Sequence, residues 1–166
     1  LMIFVTVGTH EQPFNRLIKK VDELVASGDI KEKVVVQTGF STYKPKHCEA
    51  HKMMSFDEMQ QALKDARIVI THGGPSSFIE ALQFGKVPIV FPRQEKYHEH
   101  VNDHQVEFTK LIAKRMNNII PVYDVNNLLN TINDYNEITK IKNSGESSNN
   151  KQFNEKLEKI VTDLLK

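Results

Sequence analysis

The segment of residues 72–80 combines groups that bind phosphates and sugar hydroxyls. Its sequence is His72-Gly73-Gly74-Pro75-Ser76-Ser77-Phe78-Ile79-Glu80. The two glycines let the backbone approach a ligand closely, and a helix beginning after them offers free amide donors and the positive end of its dipole to an anion. The two serines add hydroxyl donors, and Glu80, one helical turn further on, can hold a vicinal diol through two hydrogen bonds. A phosphate near the serines and a ribose at Glu80 is the arrangement for a nucleotide.

Spacing alone leaves a plainer alternative open for this segment, in which the glycines only make a turn and Glu80 is solvated. Two other nucleotide-binding classes find no support. The segment has no Walker lysine, and the chain has no G-x-G-x-x-G fingerprint after a strand. Neither an ATPase nor a dinucleotide dehydrogenase is therefore indicated.

A second candidate loop is Gly8-Thr9-His10, which follows an apolar run and precedes a predicted helix. A strand-end glycine and threonine at the start of a helix can face a phosphate. The alternative interpretation is a strand-to-helix turn with a surface histidine.

The third candidate is the polar stretch 93–105, which contains His98, His100 and His104. The zincin motif requires a glutamate directly after the first histidine, and Val101 stands there instead, so we predict no metal site. A loop that hydrogen-bonds a sugar suits the stretch better, because hydroxyls need fixed donors and acceptors. These are supplied by Asn102, Asp103, His104 and Gln105. A solvated loop is the alternative.

The bulk composition limits the functional classes. The 166 residues suit one domain, and the formal net charge of +1 gives no global attraction to nucleic acid. Cys48 is the only cysteine, so an intramolecular disulfide is impossible and a reducing compartment fits best. No apolar stretch in the sequence approaches the roughly 20 residues that span a bilayer. We therefore expect a cytoplasmic protein.

Strands and helices alternate along the predicted chain. Strands are predicted at 2–7, 34–39, 67–71, 87–92 and 119–122, and helices at 13–26, 56–66, 75–84, 99–115 and 126–134. Residues 40–52 are predicted as a loop, and Ser55 with Glu58 reads as a capping box. The strands are continuous apolar runs, which predicts an α/β parallel sheet flanked by helices. The candidate loops all follow predicted strands, where such sheets bind ligands.

The composition changes after residue 135. We predict a domain over 2–135, a flexible linker over 136–150 and an amphipathic helix over 151–166. This last helix would pack on the domain, although docking on a partner or on a membrane surface fits the pattern as well.

Three separated motifs resemble the family 28 glycosyltransferase C-terminal domain, the donor-binding half of the GT-B fold. They are His72-Gly73-Gly74-Pro75-Ser76-Ser77-Phe78-Ile79-Glu80-Ala81, Gly85-Lys86-Val87-Pro88 and Asn102-Asp103-His104-Gln105. The opening over residues 2–9 is similar to that of small catalytic subunits of two-component UDP-sugar transferases, of the dolichol-linked chitobiose synthase type and the bacterial capsule and exopolysaccharide type. The resemblance implies a Rossmann-like sheet and a single donor-binding half.

The resemblance also implies a set of UDP-sugar contacts. The diphosphate would be faced by Gly8, Thr9 and His10, and the phosphate side by Gly73, Gly74, Ser76 and Ser77. His72 would be a further UDP-sugar contact. Glu80 would hold the ribose, and the donor sugar would be reached by Asn102, Asp103, His104 and Gln105. Many family members carry Asp-Gln where this chain has His104-Gln105, which leaves the donor sugar open.

The implied reaction is inverting transfer from a UDP-sugar to a lipid-diphosphate-linked sugar in cell-surface polysaccharide synthesis. A membrane-anchored acceptor-binding subunit would supply the other half and recruit the chain to the cytoplasmic face of the membrane. His10 is the candidate base, although the base can lie on the partner instead. No cofactor or metal is expected, since the sequence has no convincing Asp-x-Asp motif. Two alternatives are an inactive nucleotide-sugar-binding regulatory subunit and another UDP-sugar enzyme such as an epimerase.

Overall fold

The computed structural model describes residues 1–142, 155, 158–160 and 162. A parallel sheet runs through the middle of this part of the chain, with strand order β3-β2-β1-β4-β5-β6. Its strands are β1 (Met2–Thr6), β2 (Lys33–Gln37), β3 (Glu49–His51), β4 (Ile68–Thr71), β5 (Ile89–Val90) and β6 (Ile120–Pro121). The chain winds outward from β1 in one direction and returns to add β4 on the other side. The strand order therefore reverses between β1 and β4, where Rossmann-type sheets bind ligands.

Helices cover both faces of the sheet. They are α1 (Asn15–Ala26), α2 (Phe56–Asp65), α3 (Pro75–Gln83), α4 (His104–Met116), α5 (Leu128–Asn133) and α6 (Tyr135–Thr139), with 3-10 turns at Glu95–Tyr97 and Val125–Asn127. The predicted capping box is confirmed: the Ser55 hydroxyl accepts from the Glu58 amide, and the Glu58 carboxylate accepts from the Ser55 amide. None of the helices in the described ranges is long and apolar enough to cross a membrane.

Alternate residues of the strands pack on opposite faces of the sheet. Ile3 and Val5 of β1 point to the α1 side, together with Tyr135 of α6. Phe4 points to the opposite face and packs with Leu63 of α2. Both faces of the sheet are buried, which explains why the strands are continuous apolar runs and confirms the predicted α/β class.

Strand β3 lies inside the stretch that was predicted as a loop, so that prediction was wrong for Glu49–His51. These residues pair in parallel with Val35–Gln37 of β2. The strand is short, lies at the sheet edge and is mostly exposed, so it carries no apolar signal that the sequence could reveal.

Two further differences from the prediction concern the start of α4 and the residues after α5. The helix predicted from residue 99 begins at His104, because His98 takes a left-handed conformation (φ 59°) and the following residues form an irregular loop. Helix α6 includes residues 136–139, which are the first residues of the linker predicted at 136–150. Residues 143–150 lie outside the described residues. In the predicted C-terminal helix, Ile160 is helical and buried against the α3–α4 side of the core.

Candidate functional site

A cavity of about 280 Å³ opens at the point where the strand order reverses. It is bounded by the loops after β1 and β4, by the end of β2, by the segment before α2 and by the first turns of α2 and α3. The lining residues are Thr6, Gly8, Thr9, His10, Gln37, Met53, Met54, Met59, His72, Ser76, Ser77 and Glu80. The cavity thus unites the first two candidate loops of the sequence.

His72 is a buried residue in the cavity wall, and both of its ring nitrogens have partners within the protein. Its Nδ1 accepts a hydrogen bond from the Gly74 amide at 3.2 Å, and its Nε2 lies 2.9 Å from the Ser77 hydroxyl. Burial, followed by the nearby Arg93 guanidinium, lowers the pKa of His72 to about 3, so the ring is neutral at physiological pH. Because Nδ1 accepts, Nε2 carries the hydrogen and donates to Ser77, which leaves the Ser77 hydroxyl hydrogen for a ligand.

Two glycines are required by the position of the His72 ring. A Cβ atom on Gly8 or on Gly74 would overlap the imidazole. Gly8 also has φ +74°, a conformation that other residues rarely adopt. The two strand-end loops therefore pack on one histidine, and glycine at both positions makes this close approach possible.

The amides of Gly73 and Gly74 differ from the sequence-based expectation. They were predicted to face a phosphate, but the Gly73 amide donates to the Gln105 side-chain oxygen at 3.0 Å and the Gly74 amide donates to His72. Both donors are buried and used within the protein. In the described structure the Ser76 amide has no acceptor, so the anion-binding end of α3 lies at the serines.

Glu80 faces the cavity from the second turn of α3. Among the described residues, nothing donates a hydrogen bond to its carboxylate. Partial burial raises its pKa above the ordinary range of glutamate. A half-buried carboxylate without a partner is ready to accept hydrogen bonds from a ligand hydroxyl pair.

His10 lies at the mouth of the cavity, and its side chain is 21% exposed. Its ring stacks on that of His100, with centroids 4.5 Å apart and an angle of 13° between the planes. Its Nε2 lies 2.9 Å from the side-chain oxygen of Gln12. The loop after β1 and the loop after β5 thus meet at this pair of histidines.

The third candidate segment is divided by the structure. Gln105 is buried, and its side-chain oxygen accepts from the amides of Gly73 and Arg93, at 3.0 and 3.1 Å. It ties two strand-end loops together. Asn102, Asp103 and His104 lie outside the cavity lining at the start of α4, where Asp103 accepts from the Glu95 amide and Asn102 from the His104 amide.

Arg93 and Glu99 lie in the third candidate stretch, but their role as buried supports of the loops around the cavity could not be read from the sequence. Arg93 is fully buried and donates to three carbonyl oxygens, those of Val7, Gln12 and Glu99. Burial lowers its pKa to about 10. The Glu99 carboxylate in turn accepts two hydrogen bonds from the Arg16 guanidinium, one to each oxygen and each at 2.9 Å. This network joins the loops after β1 and β5.

Gln37 was also missed. Its amide oxygen accepts from the Thr6 hydroxyl at 2.6 Å, and its amide nitrogen donates to the carbonyls of Lys52 and Gly8. The signal that could have revealed Gln37 is a polar residue at the end of an apolar run, directly before Thr38-Gly39. No group of three or more His, Cys, Asp or Glu residues converges as a metal site within the described part of the chain.

The chain is similar in sequence to known proteins. The profile of the glycosyltransferase family 28 C-terminal domain matches residues 2–163. A curated relative, the UDP-N-acetylglucosamine transferase subunit ALG13 of Mus musculus, is 32% identical over 123 residues. The match covers 67% of this chain and 10% of that protein, so this chain spans about a tenth of the relative's length.

Solved structures share the fold at low sequence identity. The glycosyltransferase of kitacinnamycin superposes with a TM-score of 0.60 at 17% identity, over 80% of this chain and 34% of that chain. The calicheamicin glycosyltransferase CalG4 superposes with a TM-score of 0.58 at 14% identity, over 99% of this chain and 39% of that chain. These likenesses confirm the predicted Rossmann-like fold of a GT-B half.

Proposed function

The chain belongs to the glycosyltransferase family 28 C-terminal domain family, and from that premise we propose that it is the catalytic, donor-binding subunit of an inverting UDP-sugar transferase. The observation that carries this proposal is the cavity between β1 and β4. There an unpartnered carboxylate, Glu80, lies one turn beyond two serines at the beginning of a helix. A nucleotide presents a phosphate and a ribose diol, which match the serines and the carboxylate respectively.

In this proposal UDP lies along the first two turns of α3. The ribose hydroxyls donate to Glu80, and a phosphate accepts from the Ser77 hydroxyl and the Ser76 amide. The positive end of the α3 dipole stabilises the negative charge that grows on the leaving UDP. Thr9, which also lines the cavity, faces the same diphosphate.

The acceptor in this proposal is a sugar linked to a lipid diphosphate, and the donated group is a hexose or an N-acetylhexosamine. His10 at the cavity mouth is the group that removes the proton from the acceptor hydroxyl. The name of the mouse relative, a transferase subunit, supports a two-component enzyme. A membrane-anchored acceptor-binding subunit would bring this chain to the cytoplasmic face of the membrane for synthesis of cell-surface polysaccharide.

The test is release of UDP from UDP-GlcNAc, UDP-galactose and UDP-glucose in the presence of lipid-linked acceptor. It is measured for the chain alone and for the chain co-expressed with the membrane-anchored subunit. We expect acceptor-dependent release only with the subunit. Full activity of the chain alone would contradict the two-component arrangement. UDP binding without release under either condition would indicate a regulatory subunit instead.

A further inference from the structure

The orientation of the Gln12 side-chain amide is fixed by its surroundings. Its nitrogen donates to the carbonyl oxygen of His98 at 3.2 Å. A carbonyl oxygen only accepts hydrogen bonds, so the NH₂ group must point to it and the amide oxygen must point the other way, to His10. The backbone carbonyl of Gln12 is itself held by the buried Arg93 guanidinium at 2.6 Å.

The amide oxygen of Gln12 determines which nitrogen of His10 carries the hydrogen. It lies 2.9 Å from Nε2 of the ring and can only accept, so Nε2 must donate. A neutral imidazole has one hydrogen, and Nδ1 therefore keeps its lone pair. The stacked ring of His100 at 4.5 Å opposes tilting of the ring out of this arrangement.

We propose that Gln12 is a positioning residue that holds His10 in the Nε2–H tautomer and so assigns Nδ1 as the proton-accepting atom. This inference rests on the proposed function. In the transfer step the acceptor O–H bond breaks and its proton passes to Nδ1. The electron pair of the acceptor oxygen forms the bond to the anomeric carbon of the donor sugar. The bond from that carbon to the phosphate oxygen breaks, and its electron pair leaves with UDP.

A neutral amide performs this task without adding charge to a crowded electrostatic environment. Glu11 lies on the solvent side of the ring, with a carboxylate oxygen 3.5 Å from Nδ1. The charged and titratable neighbours on the protein side are His72, His100 and Arg93. Both His72 and His100 interact electrostatically with His10 and with Arg93. Glu80 faces the same cavity. Gln12 fixes the geometry of the ring, while Glu11 is the group placed to stabilise the imidazolium that forms.

The tautomer is directly measurable by two-bond ¹H–¹⁵N correlation spectra of the chain labelled with ¹⁵N-histidine, recorded at a pH where the ring is neutral. His10→Gln assigns the signals. We expect a protonated Nε2 and an unprotonated Nδ1 in the wild-type chain. Gln12→Met, which has similar length but no acceptor oxygen, should give a mixture of the two tautomers.

A protonated Nδ1 in the wild-type chain, or an unchanged pure tautomer in Gln12→Met, would overturn the proposal. Thermal unfolding of each variant checks that it is folded. Calorimetric titration of the same samples with UDP separates the two levels of inference. If UDP binds and the tautomer is unconstrained, only the role of Gln12 is wrong; if UDP does not bind, the proposed function itself fails.

Discussion

At the scale of single residues, the site depends on a histidine that no ligand needs to touch. His72 was predicted as a UDP-sugar contact, and the structure gives both of its ring nitrogens partners within the protein. The pKa of His72 is low because the ring is buried and lies near the Arg93 guanidinium, and both conditions disfavour the charged form of the ring. The carboxylate left for the ribose of the nucleotide is that of Glu80.

Replacing Glu80 with alanine should weaken UDP binding by about 10- to 100-fold, because hydrogen bonds to a charged group contribute about 1.5–3 kcal/mol. Calorimetric titration with UDP measures the change. Glu23→Ala, which removes an exposed glutamate near the C-terminal end of α1, is the control and should bind like the wild-type chain. Equal affinity of the Glu80 variant would show that Glu80 is not the ribose ligand.

His72 should make the fold acid-sensitive. Its pKa in the folded chain is about 3 and the ordinary value is 6.5, so between these values the unfolded chain binds more protons. The free energy of unfolding should therefore fall as the pH drops below 6.5, by up to about 1.4 kcal/mol per pH unit from this group. Urea unfolding at pH 7, 6, 5 and 4 measures the slope. His72→Asn should flatten it, whereas the exposed His104→Asn should leave it unchanged; identical slopes for all three chains would refute the assignment.

At the scale of elements, the strand-end loops form one interlocked unit. The loop after β1 and the loop after β4 share His72, and the loop after β5 is joined to them through Gln105 and Arg93. Each connection depends on a close backbone approach or on a buried polar side chain. A substitution in one of these loops should therefore also alter the positions of the other two.

Two glycines with similar backbone angles test this interlocking. Gly8 (φ +74°) packs against His72, whereas Gly28 (φ +83°) has no atom within 4 Å of the position where a Cβ would stand. Replacing Gly28 with alanine should lower the free energy of unfolding by about 1–2 kcal/mol through backbone strain alone, and it should leave the affinity for UDP unchanged. Replacing Gly8 with alanine should lower the free energy of unfolding further, because the His72 ring must also move. It should also abolish UDP binding. Thermal unfolding and calorimetry compare the two; equal losses in both would mean that Gly8 acts only through its backbone angle.

The sequence was sufficient for the elements that have a strong pattern. The apolar runs of β1 and β4 and the capping box at Ser55 predict those elements because their signals are local. β3 was missed because its pairing with β2 depends on tertiary context and its residues are exposed. The two uses of Gln105 and the fully buried Arg93 could not be predicted either, since each depends on loops that only the fold brings together.

At the scale of the whole molecule, large exposed apolar side chains gather on one edge. They are Phe40, Met53, Phe56, Tyr97 and Val101, and each lies in a segment that follows the carboxyl end of β2, β3 or β5. We call them the apolar rim. Leu1 and Ile141 lie at the opposite edge of the sheet. Exposed apolar patches often mark interaction surfaces, and a partner that supplies the acceptor side of the reaction would cover this edge.

Aspartate at Phe56 should weaken association with a co-expressed acceptor-binding subunit by 10-fold or more, because it places a charge in an apolar interface. Ile141→Asp is a matched control, since both side chains are 74% exposed and only Phe56 belongs to the apolar rim. Co-purification and light scattering measure association, and UDP affinity of both variants should stay at the wild-type value. If the Ile141 variant loses the partner and the Phe56 variant keeps it, the interface lies on the opposite edge.

Binding of UDP between β1 and β4 is tested most directly by titrating the ¹⁵N-labelled chain with UDP and following the backbone amide signals residue by residue. We expect saturable shifts concentrated at Gly8, Thr9, Ser76, Ser77 and Glu80, around the reversal of strand order. Saturable shifts confined to another surface, such as the groove formed by residues 38–45, or no shifts at all, would show that UDP does not bind in this cavity.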